Sequence, residues 1–155
     1  MSLSSRSAVA IHALTLLARR AESSLAPLPS AEAAESLASN PVLVRRILGS
    51  LREAGLVTSV EGRGGGWSLA RDAREITLYD AFAAVESGPI LARHPHPPST
   101  DCEVGRHMRA LLETEFEAAE QALRQRLGRT TIAHLLHRVH TVERELSTAP
   151  PTDAH

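Results

Sequence analysis

Through most of this chain apolar residues return every three or four positions, the spacing of one buried helix face. The first such stretch follows Ser4 and Ser5, which can cap it, and runs to about Arg20 with Ala10, Leu14, Leu17 and Ala21 inward. Ala26-Pro27-Leu28-Pro29 breaks it. Ser30 opens a short alanine-rich helix over 31–38, closed by Ser39-Asn40. A third helix starts at once. Asn40 can cap it, and Pro41 has the fixed φ and missing N–H that suit the first position. Val44, Ile47, Leu48, Leu51 and Ala54 form its inner stripe, while Arg45, Arg46, Ser50 and Arg52 fall off that stripe. Gly55 stops the helix where a left-handed cap is needed.

The rhythm then changes. Residues 57–60 and 67–69 are short β-prone runs, joined by Glu61-Gly62-Arg63-Gly64-Gly65-Gly66, a hairpin tip. The gap between the second and third helices has the length of a helix-turn-helix connection. A helix with adjacent arginines followed by a two-stranded finger is the layout of a winged helix-turn-helix. In that layout the helix enters the DNA major groove and the finger lies along the flanking backbone or minor groove.

Beyond the hairpin, Thr77 and Asp80 have capping-box spacing ahead of a helix over 81–86, stopped by Gly88-Pro89. His94-Pro95-His96-Pro97-Pro98-Ser99-Thr100 reads as loop. Asp101 can cap a long helix over 102–127, striped with Val104, Met108, Leu111/Leu112, Phe116, Ala119, Leu123 and Leu127. Glu120 and Arg124 have the spacing of a favourable pair on its wet side. So long a helix needs a cover for its stripe, and a second copy of the chain is the economical one. Thr130/Thr131 start a last helix to about Leu146, and 147–155 reads as a disordered tail. The expected fold is mainly α: a winged helix-turn-helix DNA-binding domain, three helices plus a β-hairpin wing, with a long C-terminal dimerisation helix. The domains are 4–87 for DNA binding, 88–101 as loop, 102–146 as dimerisation helices and 147–155 as tail.

Bulk numbers sharpen this only a little. The 155 residues make one modest domain with appendages. No apolar run approaches the roughly 20 residues that span a bilayer, and nothing near the start resembles a signal peptide, so a cytoplasmic location without membrane contact is expected. The net charge of −1 does not advertise a nucleic-acid binder. Residues 1–75 hold nine arginines against seven acids, and residues 76–155 eight against eleven, a mild polarity. All seventeen basic residues are arginine, a pattern that GC-rich base composition explains.

Arg45 and Arg46 fall in the first turns of the third helix, where side chains meet base edges and arginine can bind guanine bidentately. The alternative for them is a solvated helix face. Ser39, Asn40 and Val42 sit beside them; Asn40 serves as a cap, a DNA contact, or both. Arg6 is a candidate phosphate contact at the start of the first helix. Arg63, Gly64 and Gly65 can bring a cation and bare N–H groups to phosphates, though turn geometry alone explains some of those glycines. The glycine run joins two strands, so it is no nucleotide loop.

The single cysteine, Cys102, excludes an internal disulfide and a cysteine-only metal cluster. It is a possible redox sensor, near a helix N-terminus with Arg106 one turn on, or an inert thiol. His94, His96, Cys102 and His107, and separately His134, His137 and His140, are metal-ligand types in loose arrangement; exposed histidines account for them, and no metal or cofactor is expected. No nucleophile stands on a strained turn beside a base, so an enzyme is not expected.

With its pieces in this order, the chain resembles the Rrf-two family of bacterial winged-helix regulators (the IscR, NsrR and CymR types). The matching residues are Ser7-Ala8-Val9-Ala10, Leu51-Arg52-Glu53-Ala54-Gly55-Leu56-Val57, Gly62-Arg63-Gly64-Gly65-Gly66-Trp67-Ser68-Leu69-Ala70, and Glu75-Ile76-Thr77-Leu78-Tyr79-Asp80 with Val85-Glu86. The segment around His94-Pro95 and Asp101-Cys102-Glu103-Val104-Gly105-Arg106 resembles a subgroup without the cluster-binding cysteines. The resemblance implies a homodimeric transcription factor, usually a repressor, binding double-stranded DNA at a two-fold-symmetric operator and responding to a redox or small-molecule effector. Two departures stand out. Iron–sulfur members carry three cysteines before the long helix where this chain has one, and Glu61 replaces the usual wing arginine, with Arg63 two residues later. The alternative function is a winged-helix protein-interaction module with little DNA affinity, which Glu61 and the near-neutral charge favour.

Overall fold

The third helix sets the frame. Asn40 Oδ1 accepts the Val42 N–H at 2.8 Å, and Pro41 follows as first residue. The computed structural model describes residues 4–23 and 26–148. In it α1 spans Arg6–Glu22, α2 Ser30–Ser36, α3 Pro41–Glu53, β1 Val57–Val60 and β2 Gly66–Leu69. A single 3-10 turn, Ala73–Glu75, precedes α4 at Leu78–Val85, α5 at Glu103–Gly128 and α6 at Ile132–Thr148. The proline break at 26–29 and the glycine stop at Gly55, which has φ 75°, fall where the sequence puts them. The Thr77/Asp80 capping box is present in full.

Val44, Ile47, Leu48 and Leu51 of α3 are buried with Ala10, Leu14 and Leu17 of α1, Ile76, and Ala81 and Val85 of α4. That one cluster also takes in Ile132 and Leu136, so α6 packs on the winged helix. Two expected inner residues are exposed instead: Ala21, in the last turn of α1, and Ala54, which is the α3 C-cap. The inner face of α1 includes Ala13 and Ala18 as well.

β1 and β2 pair antiparallel, Val57 opposite Leu69 and Val60 opposite Gly66. A third edge joins them. Leu28 exchanges both backbone hydrogen bonds with Trp67, at 2.9 and 2.8 Å, so the proline-rich break also serves as a strand-like brace. A Cβ on Gly66 would collide with the Leu28 carbonyl, which is why the wing needs glycine there.

The long helix differs from expectation in three ways. Cys102, not Asp101, is its N-cap, with no side-chain cap bond; the Asp101 N–H donates to Ser99 Oγ. Glu120 does not pair with Arg124. Its Oε1 accepts the backbone N–H groups of Ile90 and Leu91, and Arg124 lies over the Tyr79 ring 5.4 Å from its centroid. The stripe also splits. Met108, Leu112, Phe116 and Leu127 are half-buried against the chain itself, whereas Val104, Leu111, Ala119 and Leu123 face outward. No residue of α5 is fully buried within the protomer. The last helix runs through Ser147 and Thr148, so those two belong to α6 and not to a tail; the rest of the expected tail, 149–155, lies outside the described residues.

Candidate nucleic-acid interface

α2 and α3 are joined by Leu37, Ala38, Ser39 and Asn40, and the reversal turns on Ala38 at φ 46°. Left-handed backbone is costly for a residue with a Cβ. The turn is closed by backbone hydrogen bonds from the Ala38 N–H to the Glu35 carbonyl at 3.0 Å and from the Ser39 N–H to the Ala34 carbonyl at 3.2 Å, with buried Leu37 packed beside it. The turn delivers Ser39, Asn40, Val42, Arg45 and Arg46 to one end of α3. Asn40, Val42, Arg45 and Arg46 are exposed and Ser39 is half-buried. Val42 keeps 62% of its surface exposed, unlike Val44, Ile47, Leu48 and Leu51 on the inner face. Arg45 and Arg46 form no salt bridge among the described residues, so both guanidiniums are unneutralised. A hollow between α2 and α3 is lined by Ser30, Glu35, Ser39, Pro41 and Arg45.

Two other residues off the α3 stripe are spoken for. Ser50 Oγ donates back to the Arg46 carbonyl at 3.2 Å. Arg52 donates to Ser59 Oγ at 2.9 Å and lies over the Trp67 ring at 5.5 Å. Trp67 in turn donates its Nε1–H to Ser30 Oγ at 2.9 Å. Arg52 and Trp67 therefore fix the wing against both α2 and α3. The pattern of apolar positions does not mark this pair as part of the site; the only signal for it in the sequence is an arginine and the one tryptophan flanking a hairpin.

At the wing tip Arg63 and Gly64 are exposed and Gly65 is half-buried. Gly62 and Gly64 have φ of 86° and 76°, and a Cβ on Gly65 would strike the Val60 carbonyl. Turn geometry thus accounts for these glycines without any ligand. Arg6 stands apart at the start of α1, half-buried, its Nε enclosed without a partner among the described residues. Cys102 is exposed, and Arg106 beside it donates to the Thr100 carbonyl at 2.9 Å. At the N-cap of the 3-10 turn, hydrogen bonds from the Arg74 side chain first, and then from its backbone N–H, lower the Asp72 carboxyl to about 2.

An arginine-bearing helix behind a tight turn, with a braced hairpin beside it, defines a winged helix-turn-helix protein. Residues 3–138 match the family Rrf2, described as "Iron-dependent Transcriptional regulator". The chain belongs to that family, and is a transcriptional regulator rather than an enzyme. It is 31% identical over 135 residues to YwnA of Bacillus subtilis (strain 168), named as an HTH-type transcriptional regulator, covering 87% of this chain and 97% of that protein. To the HTH-type transcriptional regulator IscR of Photobacterium profundum it is 29% identical, over 88% of this chain and 76% of that one. The solved structure of T. potens IscR shares the fold with a TM-score of 0.67 at 21% identity, covering 98% and 94% of the two chains.

The family description names iron, and this chain's donor set does not fit an iron–sulfur cluster. It has one thiol, and among the described residues no three His, Cys, Asp or Glu side chains converge on a common point. No helix of the described residues is long and apolar enough to cross a membrane.

Proposed function

We propose that this chain is a homodimeric, sequence-specific DNA-binding repressor of the cytoplasm. Each protomer would place the N-terminal half of α3 in one major-groove half-site and the wing beside it. The observation carrying this reading is the exposed Arg45–Arg46 pair, without a salt bridge among the described residues, on a helix whose opposite face is wholly buried. Arg45 and Arg46 are the base-reading candidates; Ser39, Asn40 and Val42 line the same end; Arg63, Gly64, Gly65 and Arg6 are assigned to backbone phosphates. The units are 4–87 for DNA and the long helix for dimerisation, with α6 braced on the first.

Dimerisation rests on α5. Its 26 residues extend roughly 39 Å, and Val104 and Leu111 are each 60% exposed in the protomer. Joining two copies along that face hides these side chains and fixes the separation of the two α3 helices. An operator with two half-sites tolerates only one separation. A signal received by the 88–102 loop, by a small molecule or by oxidation of Cys102, would change that separation and release DNA.

A winged helix retained for protein interaction remains the rival, favoured by exposed Glu61 on the wing. The test is Arg45→Ala and Arg46→Ala, each read for operator binding and for dimer mass. Each should cost about 1–3 kcal/mol of operator binding with the dimer intact. Unchanged DNA binding in both variants would support the rival.

A further inference from the structure

Between its attachments to α5, the segment leading into that helix arches away from it. Glu120 holds the N–H groups of Ile90 and Leu91 at one end. At the other, Arg106 holds the Thr100 carbonyl, and the Ser99 backbone lies so close to Gly105 that a Cβ there would collide with it. Under the arch is a hollow of about 200 Å³, between Arg93, His94 and His96 of the segment and Arg109, Glu113 and Phe116 of α5.

The charges around this hollow do not balance. Arg93 Nη1 lies 3.0 Å and Arg109 Nε 3.5 Å from the same Glu113 Oε1. Two guanidiniums share one carboxylate oxygen, so among the described residues lining the hollow one positive charge is left over. His94 and His96 add ring nitrogens and no negative charge. The floor is apolar, made by half-buried Phe116 and its neighbour Leu112. This face is not the outward one that carries Val104 and Leu111.

We propose that the hollow binds a small monocarboxylate with a flat apolar body. The carboxylate takes the guanidinium of Arg109, with Arg93 beside it, in charge-assisted pairs. The body lies on Phe116 and Leu112. The volume has room for roughly seven water-sized groups, the scale of a one-ring acid. The surplus charge selects against neutral and cationic relatives of the same shape, and the apolar floor selects against bare inorganic anions. Binding itself needs no DNA. Its regulatory consequence rests on the reading of the chain as a signal-responsive DNA-binding dimer: an acid that draws Arg93 and Arg109 off Glu113 loosens the loop on α5.

Isothermal titration of the full chain with benzoate, benzamide and benzylamine, without DNA, tests the site. Benzoate should bind at one per protomer, and the neutral and cationic relatives about tenfold more weakly or less. Arg109→Gln and Arg93→Gln should each weaken benzoate about tenfold while the thermal unfolding midpoint stays put. Glu113→Gln should strengthen it severalfold, because it removes the competing carboxylate; a purely structural role for Glu113 would not do that. Equal binding of benzoate and benzamide, no benzoate binding at millimolar concentration, or weaker binding by Glu113→Gln would overturn the proposal. Benzoate binding by a protein that ignores every DNA sequence would uphold the site and sink the DNA reading instead.

Discussion

Replacing Trp67 by phenylalanine should loosen the wing without unfolding the protein. Three losses can be worked from the contacts. The Nε1–H bond to Ser30 Oγ, 2.9 Å and partly buried, is worth about 1 kcal/mol. The Arg52 guanidinium over the ring at 5.5 Å loses about 0.5 kcal/mol on the weaker phenyl face. The smaller ring leaves a void among residues that bury Trp67 to 8% exposure, costing about 1 kcal/mol. The total is about 2.5 kcal/mol against a typical domain stability of about 5–15 kcal/mol. Urea unfolding followed by far-ultraviolet circular dichroism measures it, since the variant has no tryptophan left to report. Arg52→Ala in the same background should show coupling of about 0.5 kcal/mol, because the phenyl face already holds the guanidinium more weakly. A Trp67→Phe variant within about 0.5 kcal/mol of the parent would refute the claim that this side chain braces the wing.

Three further outcomes follow from other contacts. Ala38→Gly relieves about 1–2 kcal/mol of left-handed strain and returns about 0.4–1 kcal/mol in unfolded-chain entropy, so urea melts should show a modest gain in stability; a loss would mean the turn is not strained. Leu111→Glu, at a position exposed in the protomer, should leave the fold intact and turn the proposed dimer into monomer in sedimentation equilibrium; a persistent dimer would place the interface elsewhere. Asp72 titrates near 2 in the folded chain against 3.8 in the unfolded one. Its ionisation therefore favours the folded state above pH 3.8 and the advantage fades as pH falls toward 2. A carboxyl midpoint near 3.8 by NMR would contradict the Arg74 contact.

What was legible in the sequence was local. Asn40-Pro41, Gly55 and the Thr77/Asp80 box each act within one helical turn, and each is found where the residues put it. The arginines of α3 were legible because their buried neighbours have a 3.6-residue period. Contacts across long separations were not. Trp67 meets Leu28 and Ser30, about forty residues back, and nothing in either segment names the other. Glu120 looked like half of an i,i+4 pair, but two unpaired backbone N–H groups thirty residues earlier took its carboxylate. The long helix was found, yet its stripe is divided between the chain's own loop and the outward face, and a single amphipathic pattern cannot show two partners. The reversal at Ala38 carried no glycine to mark it.

The most direct test is binding to the DNA immediately upstream of this chain's own gene, titrated with salt against unrelated competitor DNA. The account predicts a complex that resists competitor, with the logarithm of its affinity falling linearly and steeply as the logarithm of salt rises. Weak binding of the same strength on any sequence would contradict it.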